Sequence, residues 1–459
     1  MEITLNKKSS TEGVIKIKLA ESDYQSHVEE KVKEYSRKAN IKGFRQGKVP
    51  AGVIKRMFGK SLLVDEINSV LSTQLSGYIK DNNLKILGEP LPDLEQSRTI
   101  DWDNQKDFEF DYQIGLVEDF SYDLSNKIKV KSFPIEIDKK VIDETIEDLK
   151  QRFGEVSYPE ASEAGDNLYG ELRAKEEEAG GLFGNAEGGF KKDNAFIATG
   201  KVEKKEQKKF AGLKVDDEVE FEINKLFSDD ILTGELLGIS PEEAKNAKGK
   251  YILKIKTISR IAPTAVDQKL FDQVFGKDAV TSEEAFIEKI KETIGENYQR
   301  ESDHFLDHNI EDAFIKNTEI NLPENFLKLW LKSTSQGQVT DEVLEKEFDA
   351  YRRSLKWDLI KNRIADDNKI TVEAEEVRER AKQMILGQFG GQAFAAQLGD
   401  RMDAIADNYL QSENGKNFMQ LYGQIRGEKI VALIKEKIKI EEKKVSVEEF
   451  KKIVEEHTH

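Results

Sequence analysis

The sequence predicts a multidomain α+β protein in three successive parts: an N-terminal α+β domain, a β-rich middle domain and an extended all-α C-terminal domain. Three observations carry this. Alternating apolar residues mark strands near both ends of the first 118 residues, with two helical stripes between them. Glycine becomes dense over 161–262, where short alternating runs return. From 263 to 459 the apolar spacing is helical almost throughout. The length agrees, since 459 residues at about 150 per domain make about three domains.

Within the first part, Ile15, Ile17 and Leu19 alternate with Lys16 and Lys18, a strand pattern. Ser22 and Asp23 are cap candidates for a helix whose stripe is Tyr24, Val28, Val32, Tyr35 and Ala39. Gly43, Gly47, Pro50 and Gly52 make 41–52 a loop. A second helix places Leu63, Ile67, Val70, Leu71, Leu75 and Tyr78 on one face. Phe108, Phe110, Tyr112 and Ile114 then alternate with Glu109, Asp111 and Gln113 in a half-buried strand. This domain ends near residue 118, and 119–160 is a linker with one helix at about 138–153.

In 161–262, Val219, Phe221 and Ile223 alternate with acids, and Tyr251, Leu253 and Ile255 alternate with Ile252 and lysines. Helical signals in 263–459 include Phe286, Ile290 and Ile294, a start at Pro323 before Phe326, Leu329 and Trp330, and the run Ile425, Ile430, Ile434, Ile438. Its modest apolar content predicts an extended rather than a compact bundle.

The charged fraction is 35% and the net charge −17. The mean hides an inversion. Residues 31–60 hold ten bases against the single acid Glu34, so that window is +9 and the remainder is −26. Two readings stand: a solvated helix face, or a patch that docks on a polyanion. No run of about 18 apolar residues occurs, so no membrane span is expected. Met1 to Lys8 lack a signal peptide's layout. With no cysteine there are no disulfides, thiolate zinc sites or thiol nucleophiles. A plain RNA-binding protein is disfavoured by the −26 remainder.

The loop reads Gly43-Phe44-Arg45-Gln46-Gly47-Lys48-Val49-Pro50. Glycines permit tight turning and proline sets the exit. An exposed Phe44 can enter an apolar pocket or stack, while Arg45 and Lys48 meet phosphates or carboxylates. The alternative is that Phe44 folds back onto its own domain.

This loop matches at all six specified positions the signature Gly-Phe-Arg-x-Gly-Lys-x-Pro of the trigger-factor family, and the chain resembles that family over essentially its whole length. Asn321-Leu322-Pro323-Glu324-Asn325 looks like the family's helix start in the C-terminal region. The resemblance implies a cytoplasmic, ATP-independent, ribosome-associated chaperone. It would bind nascent and unfolded polypeptides at the exit tunnel and assist their folding and export. Phe44, Arg45 and Lys48 would contact a ribosomal protein and RNA there, with Gly43, Gly47 and Pro50 shaping the tip. A homodimer off the ribosome is compatible with it. Gln46 departs from the lysine of many members, which removes one cation and predicts a weaker salt dependence.

The family's middle domain resembles FK506-binding-protein-type peptidyl-prolyl isomerases, which need an apolar, aromatic-walled pocket but no nucleophile or cofactor. Phe210 to Val219 look like the family's turn into a strand. The preceding run Val202 to Lys209, where the family carries an Ile-Pro-Gly-Phe-Glu-like stretch, is mostly charged here. After Asn167 to Leu172 the usual aromatic-Thr-Gly pattern is missing. The expectation is a retained fold with weak or absent isomerase activity and no assigned catalytic residue; the alternative is an active isomerase with a divergent pocket. Phe183, Phe190, Phe196 and Phe221 are expected in core or flap packing.

His304 and His308 have a metal-capable spacing but no HExxH order, and no Walker loop, GxGxxG or GxSxG motif occurs. No metal or cofactor is expected. Met384 to Gly399 carry no charge over sixteen positions. Either this is an adaptable client-binding surface through Phe389, Phe394 and Leu398, or it is a buried turn between helices.

Overall fold

The structure is a computed structural model that describes residues 1–42, 44–45, 47–175, 190–388 and 401–457. It has two compact units. One joins Met1–Phe133 to Asp303–Lys443, and the other joins Pro134–Ser302 to Lys444–His459.

In the first unit, β1 (Glu2–Lys7), β2 (Glu12–Leu19), β3 (Ile86–Pro92) and β4 (Phe108–Leu116) form an antiparallel sheet in the order β1-β2-β4-β3. Helices α1 (Glu21–Lys38) and α2 (Ala51–Asp81) pair beside it, and a short helix α3 (Leu94–Arg98) follows β3. The alternation read in the sequence is the core: Ile15, Ile17, Leu19, Phe108, Phe110 and Ile114 are buried with Tyr24, Ile67 and Leu71. Tyr35 departs from its helical stripe. It is 42% exposed, one turn beyond Val32, the last residue of α1 that is buried.

The linker strand β5 (Lys129–Ser132) precedes α4 (Lys139–Arg152) and β6 (Glu155–Ser157). In the second unit, β7 (Asn167–Ala174), β8 (Lys191–Ala198), β9 (Glu218–Glu222) and β10 (Lys250–Ala262) build a sheet in the order β6-β10-β7-β8, with β9 also on β10. Short helices α5 (Ile223–Leu226), α6 (Asp230–Leu237) and α7 (Pro241–Ala244) lie between β9 and β10. The apolar core combines Phe210, Phe221, Tyr251 and Leu253 with Leu236 and Leu237 of α6. Arg260 clamps the carboxylate of Asp166 through Nε at 2.7 Å and Nη2 at 2.8 Å. That bond holds the buried Asp166 carboxyl below its usual range.

Helices α8 (Gln268–Phe275), α9 (Glu283–Asn317), α10 (Glu324–Thr334), α11 (Asp341–Asp367), α12 (Ala374–Gln388) and α13 (Arg401–Lys437) follow. Helix α13 is broken at Ser412–Gly415, where Glu413, Asn414 and Gly415 take positive φ. The helical region also carries strand β11 (Lys439–Glu442), parallel to β5, before the last helix, α14 (Val447–His457). Around that strand pair, Ile128 and Val130 share a core with Ile310, Phe314, Ile360, Ile364, Ile430 and Ile434.

The Pro323 helix start packs on the N-terminal sheet. A Cβ on Gly115 of β4 would lie 2.5 Å from the Phe326 ring and 2.8 Å from Pro323. A Cβ on Gly88, at φ +69°, would lie 2.9 Å from the Trp330 ring. These glycines are therefore spaces that receive α10, where any side chain would collide.

Candidate functional site

The loop between α1 and α2 is a braced tip. Backbone bonds close it from both sides, Phe44 N–H to Ile41 O and Lys48 N–H to Arg45 O, each at 3.0 Å. Gly47 sits at φ +77°, a left-handed conformation that glycine adopts at no steric cost. Pro50 is the N-cap residue of α2, so its fixed φ sets the exit of the loop. Between them Val49 is only 2% exposed and joins Val32 and Ile54 in a small apolar cluster. Phe44 is 39% exposed and Arg45 and Lys48 are exposed. Gly43 and Gln46 lie outside the described residues.

The electrostatics of the window sharpen the picture. Lys31 and Lys38 both engage Glu34, and Lys60 reaches Asp103. The hydrogen bond from Lys38 holds the Glu34 carboxyl below its ordinary range. Lys33, Arg37, Lys42, Arg45, Lys48, Lys55 and Arg56 are exposed and make no ion pair among the described residues. Seven cations without acidic partners, in an acidic chain with many surface ion pairs, keep their full charge for an external anion.

Two exposed apolar groups near this tip escaped the sequence reading. Tyr35 packs on Phe58 with ring centroids 5.3 Å apart, and Met57 is 53% exposed. The signal for Tyr35 was present in the sequence, since it is ringed by Glu34, Arg37 and Lys38, but helical spacing alone assigned it to the core.

In the middle domain, the charged run is anchored at its two ends. Val202 and Phe210 are buried, and Phe210 packs on Phe221 at 5.7 Å. Between them the side chains from Glu203 to Lys209 are exposed or half-buried. Phe190 meets Tyr251 edge-on at 5.7 Å, as expected of core packing. Phe196 behaves otherwise: it is exposed on the outer sheet face and pairs across the strands with Tyr169 at 5.0 Å. Phe183 lies outside the described residues.

Phe389, Phe394 and Leu398 also lie outside the described residues. The helices that flank them, α12 and α13, pack through Val377, Ala381, Ile385, Ala406 and Leu410. A groove of about 430 Å³ runs beside the break in α13, lined in part by Leu410, Phe418 and the exposed Met419. His304 and His308 stand exposed one turn apart on α9. No helix among the described residues is long and apolar enough to cross a membrane.

Comparison with known proteins extends the loop's resemblance along the chain. The family model described as bacterial trigger factor protein matches residues 1–149, the trigger-factor FKBP-like domain matches 156–263, and the trigger-factor C-terminal domain matches 302–454. The chain belongs to the trigger-factor family. The trigger factor of Pelagibacter ubique is 25% identical, over 100% of this chain and 90% of its own length. That of Parvibaculum lavamentivorans is 24% identical, over 96% of this chain and 84% of its own. A solved structure from work on promiscuous substrate recognition by the trigger factor chaperone covers 95% of this chain and 100% of its own, at a TM-score of 0.41 and 16% identity. As a trigger factor, the chain is a ribosome-associated chaperone with an FKBP-like middle domain and a helical C-terminal region. The family acts with the ribosome and with nascent chains.

Proposed function

We propose that this trigger factor docks in the cytoplasm beside the polypeptide exit tunnel, on a ribosomal protein and the RNA around it. Phe44, Arg45 and Lys48 make the contact, presented by Gly43, Gly47 and Pro50. The observation that carries this is the tip itself: an exposed Phe44 among seven exposed cations that have no acidic partner among the described residues. The aromatic supplies apolar contact and the cations supply attraction to phosphate, which is the division of labour a mixed protein–RNA surface needs. Ribosome co-sedimentation of loop variants tests it. The same reading divides the chain into a ribosome-binding domain (1–118), a linker (119–160), an isomerase-like domain (161–262) and a chaperone domain (263–459). It is compatible with a homodimer off the ribosome.

Clients are held without ATP through weak, multiple apolar contacts along the helical domain. Phe389, Phe394 and Leu398 are part of that surface. Replacing all three with Ser lowers the suppression of aggregation of a denatured test protein, while ribosome co-sedimentation stays at the wild-type level. Unchanged suppression would refute this assignment.

The middle domain contributes little or no prolyl isomerase activity. What supports this is the charged run from Glu203 to Lys209, whose mobile side chains cannot form an apolar wall, together with the burial of Phe210 and Phe221 in the core. The full chain is expected to leave the cis-to-trans rate of an aromatic-Pro peptide unchanged in a protease-coupled assay. Robust acceleration would establish the alternative, an active isomerase with a divergent pocket.

A further inference from the structure

We infer that Ser36, outside the signature, is the positioning residue that sets the angle at which the docking loop is presented; the inference rests on the docking role proposed above. Ser36 lies in the last turns of α1 and is half-buried, and its Oγ–H donates to the carbonyl oxygen of Val49 thirteen residues on. Among the described residues of the loop Val49 is the one that is deeply buried, and it lies between Lys48 and the N-cap residue Pro50. Its side chain is gripped by Val32 and Ile54, so without Ser36 the loop still has an apolar anchor. An apolar contact fixes depth but is non-directional. The hydrogen bond adds the direction, because a carbonyl oxygen receives its donor near its own plane.

The same turn of α1 makes a second approach. The Arg37 carbonyl oxygen lies 3.4 Å from where a Cβ on Gly47 would stand. The descending end of the loop, from Gly47 to Val49, is therefore laid against the end of α1 at two successive residues, Ser36 and Arg37. Phe44 and Arg45 lie beyond this clamp and have no side-chain bond among the described residues that would orient them separately. Besides the backbone bond from Phe44 N–H to Ile41 O, the clamped segment is what fixes their direction. Ser36 itself is not aimed at the partner.

The test compares ribosome co-sedimentation of the full chain with Ser36→Ala, Ser36→Thr and the triple variant Phe44→Ala, Arg45→Ala, Lys48→Ala. Ser36→Ala is expected to weaken docking about fivefold, the worth of one ordinary hydrogen bond. Ser36→Thr keeps the hydroxyl and is expected to restore docking. The slope of log affinity against log salt is expected to stay at the wild-type value, since no cation is removed. Amide exchange at Phe44 and Lys48 is expected to quicken in Ser36→Ala, while that at Ile54 and Ile67 does not. Wild-type docking by Ser36→Ala, failure of Ser36→Thr to restore it, or faster exchange at Ile54 would each overturn the positioning role. A triple variant that docks like the wild type sinks the docking reading as well, whereas a triple variant that fails while Ser36→Ala docks normally sinks this inference alone.

Discussion

Ribosome co-sedimentation falls about a thousandfold when Phe44, Arg45 and Lys48 are all replaced by Ala. The estimate follows from what each side chain has to offer. Moving the exposed Phe44 ring from water into contact is worth about 2 kcal/mol. Each cation that meets a phosphate or carboxylate contributes about 1 kcal/mol after its own dehydration is counted. The total of about 4 kcal/mol is about a thousandfold in affinity. Arg45→Ala and Lys48→Ala singly are expected to flatten the salt dependence of docking, by up to about one counterion each, whereas Phe44→Ala weakens docking at every salt concentration alike. All three residues are exposed and lie in a loop whose anchor is Val49, so the melting temperature is expected to stay near the wild-type value. A triple variant that still pellets with ribosomes would remove the docking assignment.

The second large effect is structural and falls in the other compact unit. Gly170 lies inside β7, opposite the point where the register of β10 shifts between Ile255 and Thr257. A Cβ there would stand 2.0 Å from the carbonyl oxygen of Lys254 and 2.9 Å from its carbon. The obstacle is backbone, so no rotamer change relieves it, and the two strands must separate. Gly170→Ala is expected to destabilise the middle domain by about 3 kcal/mol, from overpacking plus the ladder bonds that separate with it. Thermal unfolding followed by circular dichroism should show an earlier transition, and limited proteolysis should open residues 161–262 first. Ribosome docking is expected to survive, because Phe44, Arg45 and Lys48 belong to the other unit. An unchanged melting profile would show that the strands can part locally at little cost.

Much of the fold was legible because burial in a sheet or helix imposes a short period. Ile15, Ile17 and Leu19 announce one face of β2, and Phe108 and Phe110 one face of β4. The docking loop was legible for a different reason: glycine, proline, an aromatic and two cations together carry their chemistry in their composition. Tyr35 and Phe196 show where such reading stops. Both have the period and apolarity of core residues, yet both are exposed, since no further layer among the described residues covers the α1–α2 pair or the outer face of β7 and β8. Spacing says which residues share a face and not whether anything covers that face. The β5–β11 pair is equally silent in sequence. Lys129–Ser132 and Lys439–Glu442 are short, mostly polar runs some 300 residues apart, and only their parallel pairing makes them strands.

By itself the sequence determined the chemistry of the tip, the +9 window in a −26 remainder and the succession of α+β, β-rich and helical parts along the chain. These are local properties, set by residue type and by neighbours within a few positions. Tertiary structure alone decided that Val49 turns inward against Val32 and Ile54, that Gly115 and Gly88 are spaces for Phe326 and Trp330, and that the linker strand joins the C-terminal helices through β11. Each of these depends on a partner distant in the chain, and close packing leaves a local pattern no means of naming that partner.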